Sequence, residues 1–228
     1  MIFGGIEKCT LIDYPGKVAC MVYTIGCNFR CPYCHNPELV DETVETHISE
    51  KDVLAFLSKR KGMLQGLVIT GGEPTMHDDL LGFMKKVKSL GYLVKLDSNG
   101  TRPEMIEKAI QQGLVNYIAM DIKSPMSKYS QTVARPVDVA AIRKSIAILK
   151  TSGVEYEFRT TVIKGLIEPD DFREIGEEIR GAQRYFLQKF IPTKILNPQF
   201  KRKVTYGDEE FASFQEIMNT YVTFCGIR

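Results

Sequence analysis

Residues 18–37 read VACMVYTIGCNFRCPYCHNP. The first eight positions form an apolar run with β-branched side chains, which is typical of a buried strand. The cysteine loop that follows, residues 26–37, places three cysteines within eight residues. A loop is the expected carrier, because sulfur ligands of one metal centre must be splayed around it and cannot all be stacked along one face of a helix.

The spacing of Cys27, Cys31 and Cys34 suits an iron–sulfur site. Three thiolates can hold three irons of a cubane cluster, and because no fourth cysteine is near, one iron stays open to a substrate. Two alternatives remain. The three cysteines and His35 could form a structural zinc site, but no second ligand pair follows at the usual distance. The CPYC stretch of residues 31–34 also has the form of a glutaredoxin dithiol, an interpretation that gives Cys27 no role.

Extended and helical patterns alternate along the chain. Six strands that alternate with six helices imply parallel strands joined by right-handed crossovers. Because the chain is shorter than the ~250 residues of a complete eight-unit barrel, we expect an α/β fold with an open partial (β/α)6 TIM-like barrel. A doubly wound sheet has the same alternation and stays open as an alternative. The predicted strands are residues 18–23, 67–70, 92–96, 115–120, 154–162 and 184–191, and the predicted helices carry their periodic positions at 53–57, 80–87, 103–113, 139–149, 172–179 and 211–221.

The composition favours one domain over residues 1–228. A hydrophobic content of 44% suffices for one buried core, and no Pro-, Gly- or Ser-rich stretch divides the chain. The formal net charge of +2 indicates neither a nucleic-acid partner nor an anionic membrane. No segment is apolar and long enough for a membrane span or a signal-peptide core, so we expect a cytoplasmic protein. A short basic cluster at residues 201–203 falls in a predicted loop and could touch a protein partner.

Polar residues follow the predicted strands at their carboxyl ends, where a barrel of this kind builds its site. A Gly-Gly pair lets the backbone approach a ligand, short polar side chains can bond ribose hydroxyls, and an arginine directed into a barrel mouth is costly unless it meets an anion. Each feature also has an alternative without a ligand. The Gly-Gly pair could be a simple turn, the short polar side chains could form an Asx turn, and the charged residues could form a salt bridge at the rim. The candidate cofactor-binding residues at these positions are Gly71, Gly72, Glu73, Asp97, Ser98, Asp121, Lys123 and Arg159.

The Cys-x3-Cys-x2-Cys spacing, with Tyr33 just before the last cysteine, resembles the radical S-adenosylmethionine (radical SAM) superfamily. The later motifs arrive in that family's order, so the resemblance covers nearly the whole chain and implies the radical SAM type of partial barrel. It also implies that the three cysteines hold a [4Fe-4S] cluster and that the open iron chelates the amine and carboxylate of S-adenosylmethionine. Tyr33 would lie beside the adenine, the glycine pair would hold the methionyl amine, and Lys123, organised by Asp121, would bind the methionyl carboxylate.

Residues 10–17, TLIDYPGK, and the CHNP of residues 34–37 are similar to the activating enzymes of glycyl-radical enzymes. The similarity is greatest to the activating proteins of anaerobic ribonucleoside-triphosphate reductases. It implies a partner enzyme whose glycine gives a hydrogen to a 5′-deoxyadenosyl radical, and a low-potential electron donor such as flavodoxin or ferredoxin. The alternatives are an activase of pyruvate formate-lyase, another radical SAM enzyme that modifies peptides or cofactors, and a dithiol oxidoreductase.

Two departures from related activases are visible. No cysteine lies between positions 34 and 71, so the extra ferredoxin-like clusters that some activases insert there are missing. A barrel without a lid also suits a polypeptide loop that plugs the opening. Pyruvate formate-lyase activases carry a histidine after the last barrel strand, where residues 187–192 read LQKFIP. Gln188 and Lys189 are the candidates for its place, with a solvent-facing strand position as the alternative for Lys189.

Overall fold

The computed structural model describes residues 1–228 and contains nine strands and eight α-helices. The strands are β1 (Ile2–Thr10), β2 (Ala19–Thr24), β3 (Ile48–Ser49), β4 (Gly66–Gly71), β5 (Leu93–Ser98), β6 (Tyr117–Asp121), β7 (Glu155–Val162), β8 (Arg184–Lys189) and β9 (Phe224–Ile227). The helices are α1 (Pro37–Val40), α2 (Glu50–Lys59), α3 (Leu80–Ser89), α4 (Pro103–Gln111), α5 (Tyr129–Thr132), α6 (Val139–Thr151), α7 (Asp171–Glu178) and α8 (Asp208–Asn219).

All six predicted strands are present, as β2 and as β4 to β8, and their bounds differ from the predicted ones by at most two residues. The six predicted helices are also present, as α2, α3, α4, α6, α7 and α8. Strands β1 and β9 escaped prediction because glycines interrupt both, at Gly4 and Gly5 in one and at Gly226 in the other. Glycine weakens the apolar pattern by which a strand is recognised.

Local capping fixes where α2 and α6 begin. The side chain of Ser49 accepts a hydrogen bond from the Asp52 N–H at 3.2 Å, as the capping pattern predicts. Asp138 does the same for the Ala140 N–H at 2.9 Å. Each of these caps satisfies a backbone donor that the first helical turn leaves unpaired.

The chain contains two compact units, each described by itself. The first comprises Met1–Asn28, Glu38–Ser98 and Glu104–Ile118. In it β2, β4 and β5 run parallel, β1 pairs antiparallel with β2, and β3 pairs antiparallel with β1. Val53, Leu57 and Phe83 from α2 and α3 are fully buried, and the Phe83 ring lies 5.0 Å from that of Phe3. Burial of each such side chain contributes about 1.5–3 kcal/mol.

The second unit comprises Phe29–Pro37, Asn99–Pro103 and Ala119–Arg228. Here β7, β8 and β9 run parallel. Helices α7 and α8 pack through stacked Phe172 and Phe214 rings with centroids 4.4 Å apart, and Tyr206 meets Phe214 edge-on at 4.9 Å. Such aromatic pairs add about 0.5–1.5 kcal/mol beyond the area that they bury.

The architecture is mixed α/β, as predicted. Parallel neighbours are joined through helices, as for β4 and β5 in the first unit and for β7 and β8 in the second. A single domain over residues 1–228 stays a prediction. Among the helices, none has both the length and the apolar composition required to cross a membrane.

Candidate functional site

The glycine pair at the end of β4 lies against the end of β2. Gly71 has a φ of +115°. The Gly72 N–H donates to the Thr24 carbonyl and the Glu73 N–H donates to the Gly26 carbonyl, both at 2.9 Å. A Cβ added to Gly72 would lie 1.8 Å from the Gly26 oxygen, where no side chain fits. The pair therefore lets two strand ends meet immediately before the first cysteine, and its contact with a methionyl amine stays a prediction.

Glu73 connects the ends of β4 and β5. Its side chain is 1% exposed, and Oε1 accepts hydrogen bonds from the Thr75 N–H at 3.1 Å and from the Ser98 hydroxyl at 2.8 Å. A buried carboxylate needs such donors, because its desolvation is otherwise very costly. Two predicted site residues, Glu73 and Ser98, are thus brought together, and the glycine turn is fixed to the neighbouring strand.

Asp97 is held by a residue that the sequence analysis missed. Lys95, two positions earlier on the same face of β5, forms an ion pair with it. The Lys95 side chain is 2% exposed, and its ammonium lies 6.0 Å from the centre of the Tyr117 ring. The signal available in the sequence was this spacing of two, which places an acid and a base on one face of a strand.

Backbone hydrogen bonds hold the part of the cysteine loop that belongs to the second unit. The Cys34 N–H donates to the Cys31 carbonyl at 2.9 Å and closes a turn between the two cysteines. The Leu196 N–H then donates to the Cys34 carbonyl, and the Asn197 N–H donates to the Pro32 carbonyl, both at 2.9 Å. Residues that follow β8 therefore hold the backbone of the cysteine loop in place. No sequence pattern indicated these contacts.

None of the six cysteines is in a disulfide, so their thiols can serve as ligands. Cys31 is buried, and Cys27 and Cys34 are half-buried. Burial raises the pKa of Cys31 to about 11, while the positive charge of Lys123 works in the opposite direction. Because a metal binds the thiolate, loading a cluster here would release protons.

Tyr33 carries a buried hydroxyl that makes no hydrogen bond of ordinary geometry, although a weak contact with the Cys31 thiol lowers the pKa of that cysteine. The residue is 4% exposed, and its ring lies 6.5 Å from that of Phe200. Burial raises its pKa well above the ordinary value. A buried hydroxyl left without a partner costs about 1–3 kcal/mol, so this atom fits a site that a polar ligand completes. That the ligand group is an adenine stays a prediction.

Asp121, Lys123 and Arg159 form one ion-pair network between the end of β6 and the interior of β7. Arg159 Nε donates to Asp121 Oδ1 and Lys123 Nζ donates to Asp121 Oδ2, each at 2.8 Å. The backbone is fixed as well, because the Ile122 N–H donates to the Arg159 carbonyl at 2.8 Å and the Lys123 N–H donates to the Tyr129 hydroxyl at 3.2 Å. The structure thus brings three of the candidate cofactor-binding residues together.

The charges of the network hold its members in their ionised forms. Burial disfavours ionisation of Asp121, but Arg159 and Lys123 hold the pKa of its carboxyl well below the ordinary value. Burial likewise opposes the charge on Lys123, and Asp121 keeps the pKa of this lysine well above its usual range. Two cations thus contact one carboxylate, which fixes the positions of both.

The predicted site residues fall in both units. Cys27 belongs to the first unit together with Gly71, Gly72, Glu73, Asp97 and Ser98, whereas Cys31 and Cys34 belong to the second together with Tyr33, Asp121, Lys123 and Arg159. No group of three or more His, Cys, Asp or Glu side chains is arranged in the structure to hold a metal ion. The assignment of the three cysteines as cluster ligands therefore stays a prediction from their spacing.

Lys189 does not replace the histidine that some activases carry. It forms an ion pair with Asp208 at 2.5 Å, and both side chains are exposed, so the solvent-facing alternative is the one observed. Gln188 lies on the opposite face of β8 because side chains alternate along a strand. Its proposed role in place of the histidine stays a prediction that rests only on its position in the sequence.

A second buried ion pair lies close to Arg159 along β7 and was not predicted. Glu157 is fully buried and forms a bidentate pair with Arg228, at 2.8 and 2.9 Å. The Arg228 guanidinium also lies 3.4 Å from the centre of the Phe186 ring on β8. Glu157 shares the face of Arg159 by its spacing of two. The arginine that neutralises it is 71 positions away, so the pair could not be predicted from sequence.

The sequence pattern of the Radical SAM superfamily matches residues 21–179, which is more than half of the chain. A candidate glycyl-radical enzyme activating enzyme from Methanocaldococcus jannaschii is 31% identical over 237 residues, covering 100% of this chain and 95% of the relative. The pyruvate formate-lyase-activating enzyme of Listeria monocytogenes is 34% identical over 128 residues, but this match covers only 52% of the chain and 51% of the relative.

Among solved structures, a radical SAM methyltransferase from Sphaerobacter thermophilus superposes with a TM-score of 0.73 at 16% identity. The superposition covers 96% of this chain and 68% of the methyltransferase. At this level of identity the likeness shows the fold alone. It confirms the predicted radical SAM type of partial barrel.

Proposed function

The chain belongs to the radical SAM superfamily, among its glycyl-radical enzyme activating enzymes, and from this premise we propose that it activates an anaerobic ribonucleoside-triphosphate reductase. Enzymes of this family use a [4Fe-4S] cluster and S-adenosylmethionine. The chemistry that these groups supply when bound is reductive cleavage to methionine and a 5′-deoxyadenosyl radical, which takes a hydrogen from a glycine of the partner. The protein contributes binding, orientation and protection of the radical.

We assign Cys27, Cys31 and Cys34 as the residues that would hold the cluster. The observation that carries the proposal is the network in which Lys123 and Arg159 both contact the Asp121 carboxylate at 2.8 Å, and the charge of Lys123 also lowers the pKa of Cys31. A methionyl carboxylate bound near the open iron would meet Lys123 and Arg159 at that place. The donor set therefore fits both a cluster and a zwitterionic ligand.

The other site residues receive roles that follow from where they lie. Gly71, Gly72 and Glu73 form a rigid turn that would receive the methionyl amine, since Glu73 is fixed to Ser98. Asp97 and Ser98, at the end of β5, would bond the ribose hydroxyls. Tyr33 would lie beside the adenine, with its unpartnered hydroxyl available to the ligand.

The choice of partner rests on resemblance in the cysteine loop and in residues 10–17, and on the lack of inserted cluster cysteines. Physics adds one constraint. Hydrogen abstraction requires the glycine Cα within van der Waals reach of the 5′ carbon, so the partner must present that glycine on a loop that leaves its own fold. Because the proposed thiol and cluster chemistry needs reducing conditions, we place the protein in the cytoplasm, with a flavodoxin or ferredoxin as electron donor.

The test is electron paramagnetic resonance on the reduced, cluster-loaded protein with S-adenosylmethionine and a candidate partner. A glycyl-radical doublet with the anaerobic reductase, and none with a reductase whose radical glycine is replaced by alanine, is expected. The similarity to the Listeria enzyme favours pyruvate formate-lyase as the second candidate partner. A doublet with the lyase and none with the reductase would replace the proposed partner and leave the radical chemistry intact.

A further inference from the structure

The segment between β8 and α8, residues 190–207, is basic throughout. Among its 18 residues it has four cations and no acid. The cations are Lys194, Lys201, Arg202 and Lys203, three of them in sequence around the end of the short 3-10 helix Pro198–Arg202. We call this segment the basic loop.

The basic loop lies directly on the cysteine loop. Its Leu196 and Asn197 N–H groups donate to the carbonyls of Cys34 and Pro32 at 2.9 Å. Thr193 Oγ1 lies 3.3 Å from the His35 Nδ1. The segment that makes these contacts with residues 32–35 thus also carries a concentrated positive charge.

Three of the four cations of the basic loop have no acidic partner within the chain. Lys201, Arg202 and Lys203 form no ion pair, and the first two are exposed. Three acids begin α8: Asp208 pairs with Lys189 at 2.5 Å, Glu210 pairs with Lys164 at 3.2 Å, and Glu209 forms no ion pair with the basic loop. The loop also exposes two apolar side chains, Ile191 and Val204, which are 64% and 60% exposed.

Reductive cleavage of S-adenosylmethionine requires an electron from outside this chain. The donor centre loses one electron, the C5′–S bond breaks, methionine leaves with the sulfur lone pair, and one electron remains on the 5′ carbon. Encounters between electron-transfer proteins are brief and bury little area, so charge complementarity governs them more than apolar burial does. A donor with an acidic rim around its redox centre would be steered to a basic surface beside the cysteine loop.

Resting on the proposed function, we infer that the basic loop is the docking surface for an acidic one-electron donor protein with a flavin or iron–sulfur centre. Docking there brings the donor next to residues that hydrogen-bond to the backbone of Cys34 and Pro32. The exposed Ile191 and Val204 supply a small apolar contact within the charged surface. The charged side chains select the donor, and the two backbone hydrogen bonds connect the docking surface to the cysteine loop.

The test uses the full cluster-loaded chain and compares two reductants, a reduced flavodoxin and dithionite. The variant is Lys201→Glu with Arg202→Glu, which leaves every backbone contact to the cysteine loop in place. The matched control is Lys85→Glu with Lys108→Glu, two exposed lysines on α3 and α4 without ion pairs. The readout is the initial rate of 5′-deoxyadenosine formation at low ionic strength.

We expect the flavodoxin-driven rate of the Lys201→Glu, Arg202→Glu variant to fall at least about tenfold, as loss of electrostatic steering predicts. Its dithionite-driven rate should stay within about twofold of the unchanged protein, and the control should keep both rates. An unchanged flavodoxin-driven rate would overturn the proposal. Equal loss with both reductants would also overturn it, since the loop would then only support the cysteines. Absence of any dithionite-driven cleavage in the unchanged protein would instead refute the proposed function itself.

Discussion

Arg159 Nε lies 2.8 Å from Asp121 Oδ1, and this contact joins the interior of β7 to the end of β6. Lys123 donates to the other oxygen of the same carboxylate at 2.8 Å. The carboxylate therefore orients two cations. The predictions on cofactor binding follow from this network.

Replacement Lys123→Ala should weaken S-adenosylmethionine binding at least about tenfold, because a charge-assisted contact contributes about 1.5–3 kcal/mol. Iron content should stay unchanged, since Lys123 is not a proposed ligand of the cluster. Calorimetric titration and an iron assay measure the two quantities. Lys108→Ala, on an exposed position of α4, is the control. Unchanged affinity of the Lys123→Ala protein would remove this residue from the site.

The contribution of Asp121 to the free energy of unfolding should depend on pH only at acidic pH. Its folded pKa is depressed, so its contribution is present above the unfolded pKa of about 3.9 and is lost as pH falls through the folded value. The raised pKa of Lys123 makes that contribution constant up to about pH 10. Asp121→Asn should thus cost about 1–3 kcal/mol of unfolding free energy from pH 5 to 9, and less below pH 4.

Chemical denaturation of the unchanged protein and of Asp121→Asn across this pH range measures that difference. The conservative Asp208→Asn, in an exposed ion pair, should differ from the unchanged protein by less than about 1 kcal/mol throughout. A difference for Asp121→Asn that persists unchanged to pH 2 would show that the ion pairs are not its source.

Replacing any one of the three cysteines should abolish the four-iron cluster. We expect Cys27→Ala to lose the brown colour and the bound iron, because two remaining thiolates cannot hold a cubane cluster. Cys9→Ala, at an exposed position on β1, should retain both. Full iron in Cys27→Ala, together with loss of only dithiol activity in Cys31→Ala and Cys34→Ala, would favour the dithiol oxidoreductase.

The glycine turn should tolerate no side chain. Gly72→Ala would put a methyl group 1.8 Å from the Gly26 carbonyl oxygen, so the ends of β2 and β4 must separate. We expect a lower melting temperature and weaker cluster binding, since the cysteine loop begins at this contact. Gly82→Ala on α3 has open space around it and should be neutral or stabilising by up to about 1 kcal/mol. Equal melting temperatures for the two variants would contradict the role given to the turn.

The sequence predicted what depends on local pattern. An apolar run such as residues 67–70 marks a strand regardless of its partner, and the polar residues Asp97, Ser98 and Asp121 were found at strand ends by the strand-end rule. The Asp121–Lys123 pair could be anticipated because its two residues are close in sequence. Partners that come from distant loops could not be anticipated. The contact of Leu196 with Cys34 and the pairing of Glu157 with Arg228 depend on how the chain returns after β8, which no periodicity encodes.

The strand at the amino terminus, β1, also could not be predicted from the local sequence pattern. Residues 2–10, IFGGIEKCT, have too few apolar positions to indicate a strand, yet β1 forms because β2 offers an edge for antiparallel pairing. Gly4 is required there, since a Cβ would lie 2.5 Å from the Leu39 side chain. Its place in the fold is set by tertiary packing and not by intrinsic propensity.

The central claim is that a hydrogen atom passes from the glycine of the reductase to the 5′ carbon of the deoxyadenosyl group, and isotope labelling tests it most directly. The reduced, cluster-loaded protein is mixed with S-adenosylmethionine and with anaerobic reductase whose radical glycine carries deuterium at Cα, and the 5′-deoxyadenosine formed is analysed by mass spectrometry. We expect one deuterium in each molecule of 5′-deoxyadenosine, and amounts of methionine and glycyl radical that equal the amount of 5′-deoxyadenosine. Formation of 5′-deoxyadenosine without deuterium, or no cleavage by a protein that holds its full cluster, would contradict it.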